Sequence, residues 1–236
     1  MTADLLRATF PGRPIQYHES IDSTMTAAAG QPIDTLVVAD AQTAGQGRHG
    51  HSWHSEPGNG IYCSLVLVNT PLLTLALGLA TAEAIASTTG LACDLRWPND
   101  VLVGDKKVAG ILAQLSGGSA IGGIGINLNH SAFPPELADQ ATSLYLQSGR
   151  NFAQIEILKA LIPAVDRFTR LQPQDILRLF ARASSYVSGR RVVVDQPGGS
   201  VEGVTVGMDP SGYLVVHRDD GTDTLILAGG VRAARS

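Results

Sequence analysis

Between two β-rich runs, Thr35 to Ala39 and Ile61 to Val68, the chain crosses a polar stretch containing Gly45, Gly47, Gly50, Gly58 and Gly60. A loop of about 20 residues is uncommon in a compact domain unless it serves binding or catalysis. The fold must therefore supply a sheet that carries the loop. Closely spaced glycines let backbone N–H groups approach an anion, and Arg48 adds a planar fork suited to carboxylate or phosphate. The spacing is neither a Walker loop nor a dinucleotide fingerprint, because no helix start follows a strand here. On glycine spacing alone, an ordinary surface loop stays open.

The flanking segments define the sheet. Ile15 to His18 reads as a short strand, and Asp22 or Ser23 is placed to cap a helix through Ala27-Ala28-Ala29. Leu72 to Ala86 is the most apolar stretch, but it contains Thr74, Thr81 and Glu83 and falls short of the roughly 20 residues that cross a bilayer. It predicts a buried helix and no membrane span. Strands are expected at Cys93 to Trp97, Val101 to Val103, Lys107 to Leu115 and Ala120 to Leu128, with turns at Gly104-Asp105 and Ser116 to Ser119. Consecutive hairpins around one crossing helix imply an α+β fold, a mixed β-sheet with helices, not a strict βαβ alternation.

Residues 151–170 and 173–183 carry helical spacing of Leu, Ile and Phe, with Pro163 expected to bend the first helix and Pro173 to open the second. Beyond Gly189 the pattern changes to short strands: Arg191 to Asp195, Val201 to Met208, Tyr213 to His217 and Thr224 to Leu227. Turns are expected at Pro197-Gly198-Gly199, Pro210-Ser211-Gly212 and Asp220-Gly221. The expected division is a main domain over 1–186 and a small SH3-like β-barrel over 187–236.

With 44% hydrophobic and 16% charged residues, the apolar supply is sufficient for a packed core. The formal net charge is −4, and the basic residues are scattered apart from Lys106-Lys107 and Arg190-Arg191. No broad nucleic-acid footprint is visible. Two cysteines, Cys63 and Cys93, are too few for a disulfide framework, and the N-terminus lacks a signal-peptide pattern. A cytoplasmic setting is expected.

Two further segments could carry chemistry. Arg96-Trp97-Pro98-Asn99-Asp100 precedes Lys107, and the turn at Gly104-Asp105 would bring Asp100 and Lys107 together. An acidic–basic pair across a hairpin is also a common surface feature of little energetic value. Gly122 to Asn129 is an apolar strand studded with glycine, which suits either a ligand approaching the backbone or a tightly packed central strand. His49, His51 and His54 cluster near Glu56, but the loop is too glycine-rich to preorganise a closed metal site. Cys63 reads as a core residue and His217 as a strand-face residue.

Taken in order, Asp22-Ser23-Thr24, then Gln42, Ala44 to Gly50 and Trp53, then Trp97 to Asp100, Lys107, Ala109 to Leu112, and Gly123 to Asn127 resemble the biotin protein ligases. Ala141-Thr142-Ser143-Leu144 and the C-terminal β segment are similar as well, so the resemblance spans essentially the whole chain. It implies a catalytic domain related to class II aminoacyl-tRNA synthetases, which forms biotinyl-5′-AMP from biotin and ATP and transfers biotin to a lysine of a biotin carboxyl carrier protein. Ser23, Thr24 and Gln42 would hold the ureido ring, and Gly45, Gln46, Gly47 and Arg48 would close over carboxylate and phosphate. Lys107 would reach both reacting anions beside Gly110. Trp53 would lie against adenine, with His51, Asn99, Asp100 and Asn127 around the nucleotide and Asp100 a ligand for Mg²⁺. The resemblance thus implies Lys107, Arg48 and Asp100 as the catalytic set, ATP, Mg²⁺ and biotin as the small molecules, and no tightly bound prosthetic group.

Three positions depart from what many members carry: Met25 replaces asparagine, Gln46 replaces arginine and Arg96 replaces lysine. The loss of Arg at 46 weakens the loop's positive charge, leaving more of the anion grip to Arg48, with His49 and His51 as partial substitutes if protonated. Only about 14 residues precede the first strand, so the family's DNA-binding winged helix is not expected. A lipoate or octanoyl enzyme of the same ancestry and a biotin sensor without catalysis are the competing readings. The intact Lys107, Asp100 and Arg48 argue against the sensor, and the Gly45 to Gly50 loop and Arg96 to Asp100 segment favour biotin. Edge strands of a mixed sheet could support a homodimer.

Overall fold

The computed structural model describes residues 1–196 and 199–234. In chain order the first part contains α1 (Ala3–Thr9), β1 (Ile15–His18), α2 (Thr24–Ala28), β2 (Leu36–Ala39), β3 (Gly60–Val68) and α3 (Leu73–Thr89). There follow β4 (Asp94–Arg96), β5 (Asp100–Val103), β6 (Lys106–Ser116) and β7 (Ser119–Asn127). Helices α4 (Pro135–Ala138), α5 (Leu144–Ser148), α6 (Gln154–Phe168) and α7 (Pro173–Arg182) come next. The chain closes with β8 (Ser188–Gln196), β9 (Gly199–Met208), β10 (Leu214–His217), β11 (Asp223–Ile226) and β12 (Gly230–Ala233).

Strands β1 to β7 form one sheet in the order β1-β2-β3-β7-β6-β5-β4. Only β1 and β2 run parallel, because α2 carries the chain between them, and the other neighbours are antiparallel. The sheet is therefore mixed, as expected. Its two faces are read off the period of two along β7. Ala120, Ile124 and Ile126 join the large core against α3 and α6, whereas Ile121 joins a small cluster with Met25, Ala28, Val37 and Val66. On the α3 side Gly122 packs under Leu77, and on the other side Gly123 packs under Met25. The glycines of β7 thus leave the α2 side of the sheet open where side chains would otherwise stand.

Helix α3 runs three residues beyond the expected Ala86, because the polar Ser87, Thr88 and Thr89 continue the turn until Gly90 caps it at φ 77°. Thr81 and Thr89 stay buried by donating their hydroxyls to the carbonyls of Leu77 and Ile85. Helix α1, the short α4 and α5, and strand β12 were not expected from the sequence. Each is too short to display a clear periodicity, and α1 carries a single buried residue, Leu6.

Strands β8 to β12 form a second, antiparallel sheet in the order β11-β10-β9-β8-β12. The expected turn at 197–199 includes Pro197 and Gly198, which lie outside the described residues. Val192, Val194, Leu214, Val216, Ile226 and Val231 from this sheet belong to the same buried cluster as α3 and α6. The Trp97 indole N–H also donates to the Gly212 carbonyl at 2.8 Å in a buried setting. The second sheet is consequently fastened directly behind the Trp97 to Asp100 segment. Among the described residues, no helix is long and apolar enough to cross a membrane.

Candidate active site

The glycine-rich segment is not a structureless loop. Gly47 N–H donates to the His51 carbonyl at 2.7 Å, Trp53 N–H donates to the Gly45 carbonyl at 2.8 Å, and Arg48–Gly50 forms one tight helical turn. His49 sits at φ 55° within that turn, a conformation that costs a non-glycine side chain free energy. The result is a folded flap whose far end delivers Trp53 onto the open side of the sheet.

Trp53 explains two glycines. A Cβ at Gly110 would stand 2.7 Å from its ring, and one at Gly125 would collide with the ring outright. Beside it, a Cβ at Gly123 would meet the Met25 sulfur at 2.5 Å. The indole and thioether therefore lie directly on backbone, and together with the sheet they line a small cavity.

One end of that cavity is polar. Ser23 caps α2, with its side chain accepting from Met25 N–H. Thr24 donates from both its backbone N–H, at 2.9 Å, and its hydroxyl, at 3.1 Å, to the Gln42 side-chain oxygen. Gln42 passes its amide to Ser55, and Ser64 donates to Thr24. Thr24 and Gln42 wall the cavity, while Ser23 stands behind them and Gly45 supports the flap. The remaining walls include Cys63, Ile111, Leu112 and Ile124, so the chamber takes a small body with a polar head and an apolar flank.

The other end is charged. The two-residue turn at Gly104-Asp105 pairs Val103 with Lys106, and the Lys107 ammonium reaches 2.6 Å from Asp100 Oδ1. Arg96 holds the second carboxylate oxygen at 2.7 Å. Burial alone would raise the Asp100 carboxyl, but Lys107 and Arg96 together outweigh it and hold the group below its ordinary range. This is more than an exposed pair, since the Asp100 side chain is only 15% exposed. Lys107 also lies 5.2 Å above the Trp53 ring, within cation–π range. Each Asp100 oxygen thus already faces one cation, with which a Mg²⁺ ion at this carboxylate would share it.

Arg48 points to the same place. It donates to the Asn99 side-chain oxygen at 2.9 Å and approaches the Gly229 carbonyl at 3.4 Å. Burial lowers its pKa, with Asp100 opposing, so an anion entering here meets a guanidinium already stripped of much of its water. Gly47, Arg48, Trp53, Asn99 and Lys107 line both the small cavity and a larger open cleft. His51, Asp100 and the buried Asn127, which donates to the Thr142 carbonyl at 3.0 Å, line the cleft. Gln46 reaches the cavity rim and Thr26.

Several contributors carry no sequence signal of their own. Gly229, Gly230 and Val231 from the second sheet border the cleft. Gln140 likewise pairs with the Lys107 backbone, as does Thr142 from the Ala141 to Leu144 segment of the resemblance, and the two fix its position. The expected histidine cluster is also rearranged: His54 and Glu56 approach His130, not His49 or His51.

Comparison with known proteins gives a consistent result. The profile of the "Biotin/lipoate A/B protein ligase family" matches residues 17–130, and that of the "Biotin protein ligase C terminal domain" matches residues 187–231. The "Bifunctional ligase/repressor BirA" of Bacillus spizizenii is 33% identical over 94% of this chain and 75% of its own. The "Biotin--[acetyl-CoA-carboxylase] ligase" of Mycobacterium tuberculosis is 34% identical over 89% of this chain and 82% of its own. Among solved structures, the biotin protein ligase from Aquifex aeolicus in complex with biotin and ATP superposes with a TM-score of 0.81 and 31% identity, over 94% of this chain and 99% of that one.

Proposed function

The chain belongs to the biotin protein ligases, within the biotin/lipoate A/B protein ligase family, and on that premise we propose the following division of its site. The chain activates biotin with ATP and transfers it to a lysine of a biotin carboxyl carrier protein. The small cavity takes biotin, with Thr24 and Gln42 at the ureido ring and Met25, Ile111 and Leu112 along the apolar part. The open cleft takes ATP, with its base near Trp53 and Asn127. The observation that carries this reading is that Gly47, Arg48, Trp53, Asn99 and Lys107 wall both spaces. Their junction is where a carboxylate from one side can meet a phosphate from the other.

A carboxylate oxygen attacks the α-phosphorus, pyrophosphate leaves, and biotinyl-5′-AMP remains. Two anions must approach for this, and the Lys107 and Arg48 cations relieve their repulsion most where charge develops. Asp100 orients Lys107, and Arg96 keeps that carboxylate ionised. Mg²⁺ arrives with the triphosphate as part of the substrate. In the second half-reaction the carrier lysine amine attacks the anhydride carbonyl and AMP leaves. The flap over residues 44–53 excludes water between the two steps. A cytoplasmic setting suits the two free cysteines.

Biotin-dependent exchange of labelled pyrophosphate into ATP tests the assignment. Exchange with biotin supports it, exchange with lipoate or octanoate alone replaces it with a lipoyl enzyme, and binding without exchange replaces it with a sensor.

A further inference from the structure

His130 is completely buried, yet neither of its ring nitrogens has a hydrogen-bond partner. A buried imidazole left in that state is destabilising, and an ion is one of the few explanations that removes the cost. His54 Nε2 is also buried without a hydrogen bond, lying 3.2 Å from Glu56 Oε1 but misaligned for one. One ligand atom from each of His54, Glu56 and His130 lies within 4.8 Å of the others.

We propose that His54, Glu56 and His130 bind a transition-metal ion of the zinc class. Two imidazoles and one carboxylate form a nitrogen–oxygen set suited to Zn²⁺ and poorly suited to Mg²⁺, which takes oxygen ligands and keeps its waters. Zinc–ligand bonds of about 2.1 Å require these atoms to draw in by roughly one ångström. The surroundings are built for such a set. Asn59 donates its amide to Glu56 Oε2 at 3.0 Å, leaving Oε1 turned toward His54. The Asn59 carbonyl accepts from Leu128 N–H and Asn129 N–H at 2.9 and 2.8 Å, tying the Glu56 segment to the His130 segment. Phe133 stacks on the His130 ring at 5.0 Å, and Ser143 donates to the His130 carbonyl at 2.6 Å. The metal would clamp the foot of the flap, because His54 directly follows Trp53 and lines the same cleft.

The test uses the full chain stripped with a chelator and titrated with Zn²⁺ by calorimetry, with Co²⁺ absorption as a geometric probe. One Zn²⁺ per chain is expected, with a Kd on the order of 1 μM or tighter, together with a zinc-dependent rise in Tm. His54→Gln and Glu56→Gln, at the less buried positions of the site, should each weaken binding by about tenfold or more and abolish the Tm rise. His130→Gln should do the same if it folds. His49→Ala and His51→Ala should leave zinc affinity unchanged. Absence of saturable binding, unchanged affinity in both His54→Gln and Glu56→Gln, or loss of binding in His49→Ala or His51→Ala would each overturn the proposal.

Discussion

The Lys107 ammonium rests 2.6 Å from Asp100 Oδ1 and over the Trp53 ring, so the cation proposed to meet substrate is already oriented without it. Arg96 on the other carboxylate oxygen prevents Asp100 from neutralising Lys107 completely. A charge held in place before the anions arrive needs little reorganisation when they react.

Lys107→Ala removes that charge at the junction of the two spaces. Adenylate formation, read as biotin-dependent pyrophosphate exchange, should fall by about 10²-fold or more. Exchange near the wild-type rate would remove Lys107 from the chemistry.

Asp100→Asn addresses stability as well as rate. The folded carboxyl titrates below its ordinary 3.8, because Lys107 and Arg96 outweigh the opposing effect of burial. A depressed carboxylate stabilises the fold above its unfolded pKa, and that contribution is lost as pH falls through the lower folded value. The variant should therefore be less stable than wild type at pH 7, by about 3 kcal/mol, since it leaves two cations together. The gap should narrow as pH drops below the ordinary carboxylate range. Chemical denaturation at pH 7 and at pH 3 reads both limbs, and a gap independent of pH would contradict the coupling.

How much of this was legible in the residues depends on sequence distance. The proximity of Asp100 and Lys107 followed from a two-residue turn, and the mixed sheet followed from consecutive hairpins. The glycines of β7 were ambiguous between ligand approach and tight packing. The structure contains both, since Gly122 packs under Leu77 while Gly125 underlies Trp53. His130 gave no signal because its partners His54 and Glu56 lie more than 70 residues away in the chain. The same holds for Gly229, which meets Arg48 only because the second sheet docks behind Trp97.

Arg48→Ala opens the flap at its anchor on Asn99. ATP should bind more weakly, and biotinyl-5′-AMP should escape before transfer. The measurement is AMP released per biotin attached to carrier, which should rise above one. Weak binding with a ratio still near one would dissociate Arg48 from retention of the intermediate.

Gly125→Ala and Gly123→Ala separate the roles of the two glycines on the open side of the sheet. A methyl at Gly125 collides with the rigid indole of Trp53, a residue whose backbone N–H is bound to the Gly45 carbonyl of the flap. A methyl at Gly123 meets the Met25 thioether, which has several rotatable bonds and can move. Gly125→Ala should therefore displace Trp53 and weaken both substrates by about tenfold or more, on the scale of 1.4 kcal/mol per decade. Gly123→Ala should affect biotin more than ATP and by less. Intrinsic fluorescence of Trp53 in a Trp97→Phe background, followed during titration with each substrate, reports the displacement. Equal effects of the two alanines on both substrates would mean that the cavity floor, and not the indole lying on it, governs binding.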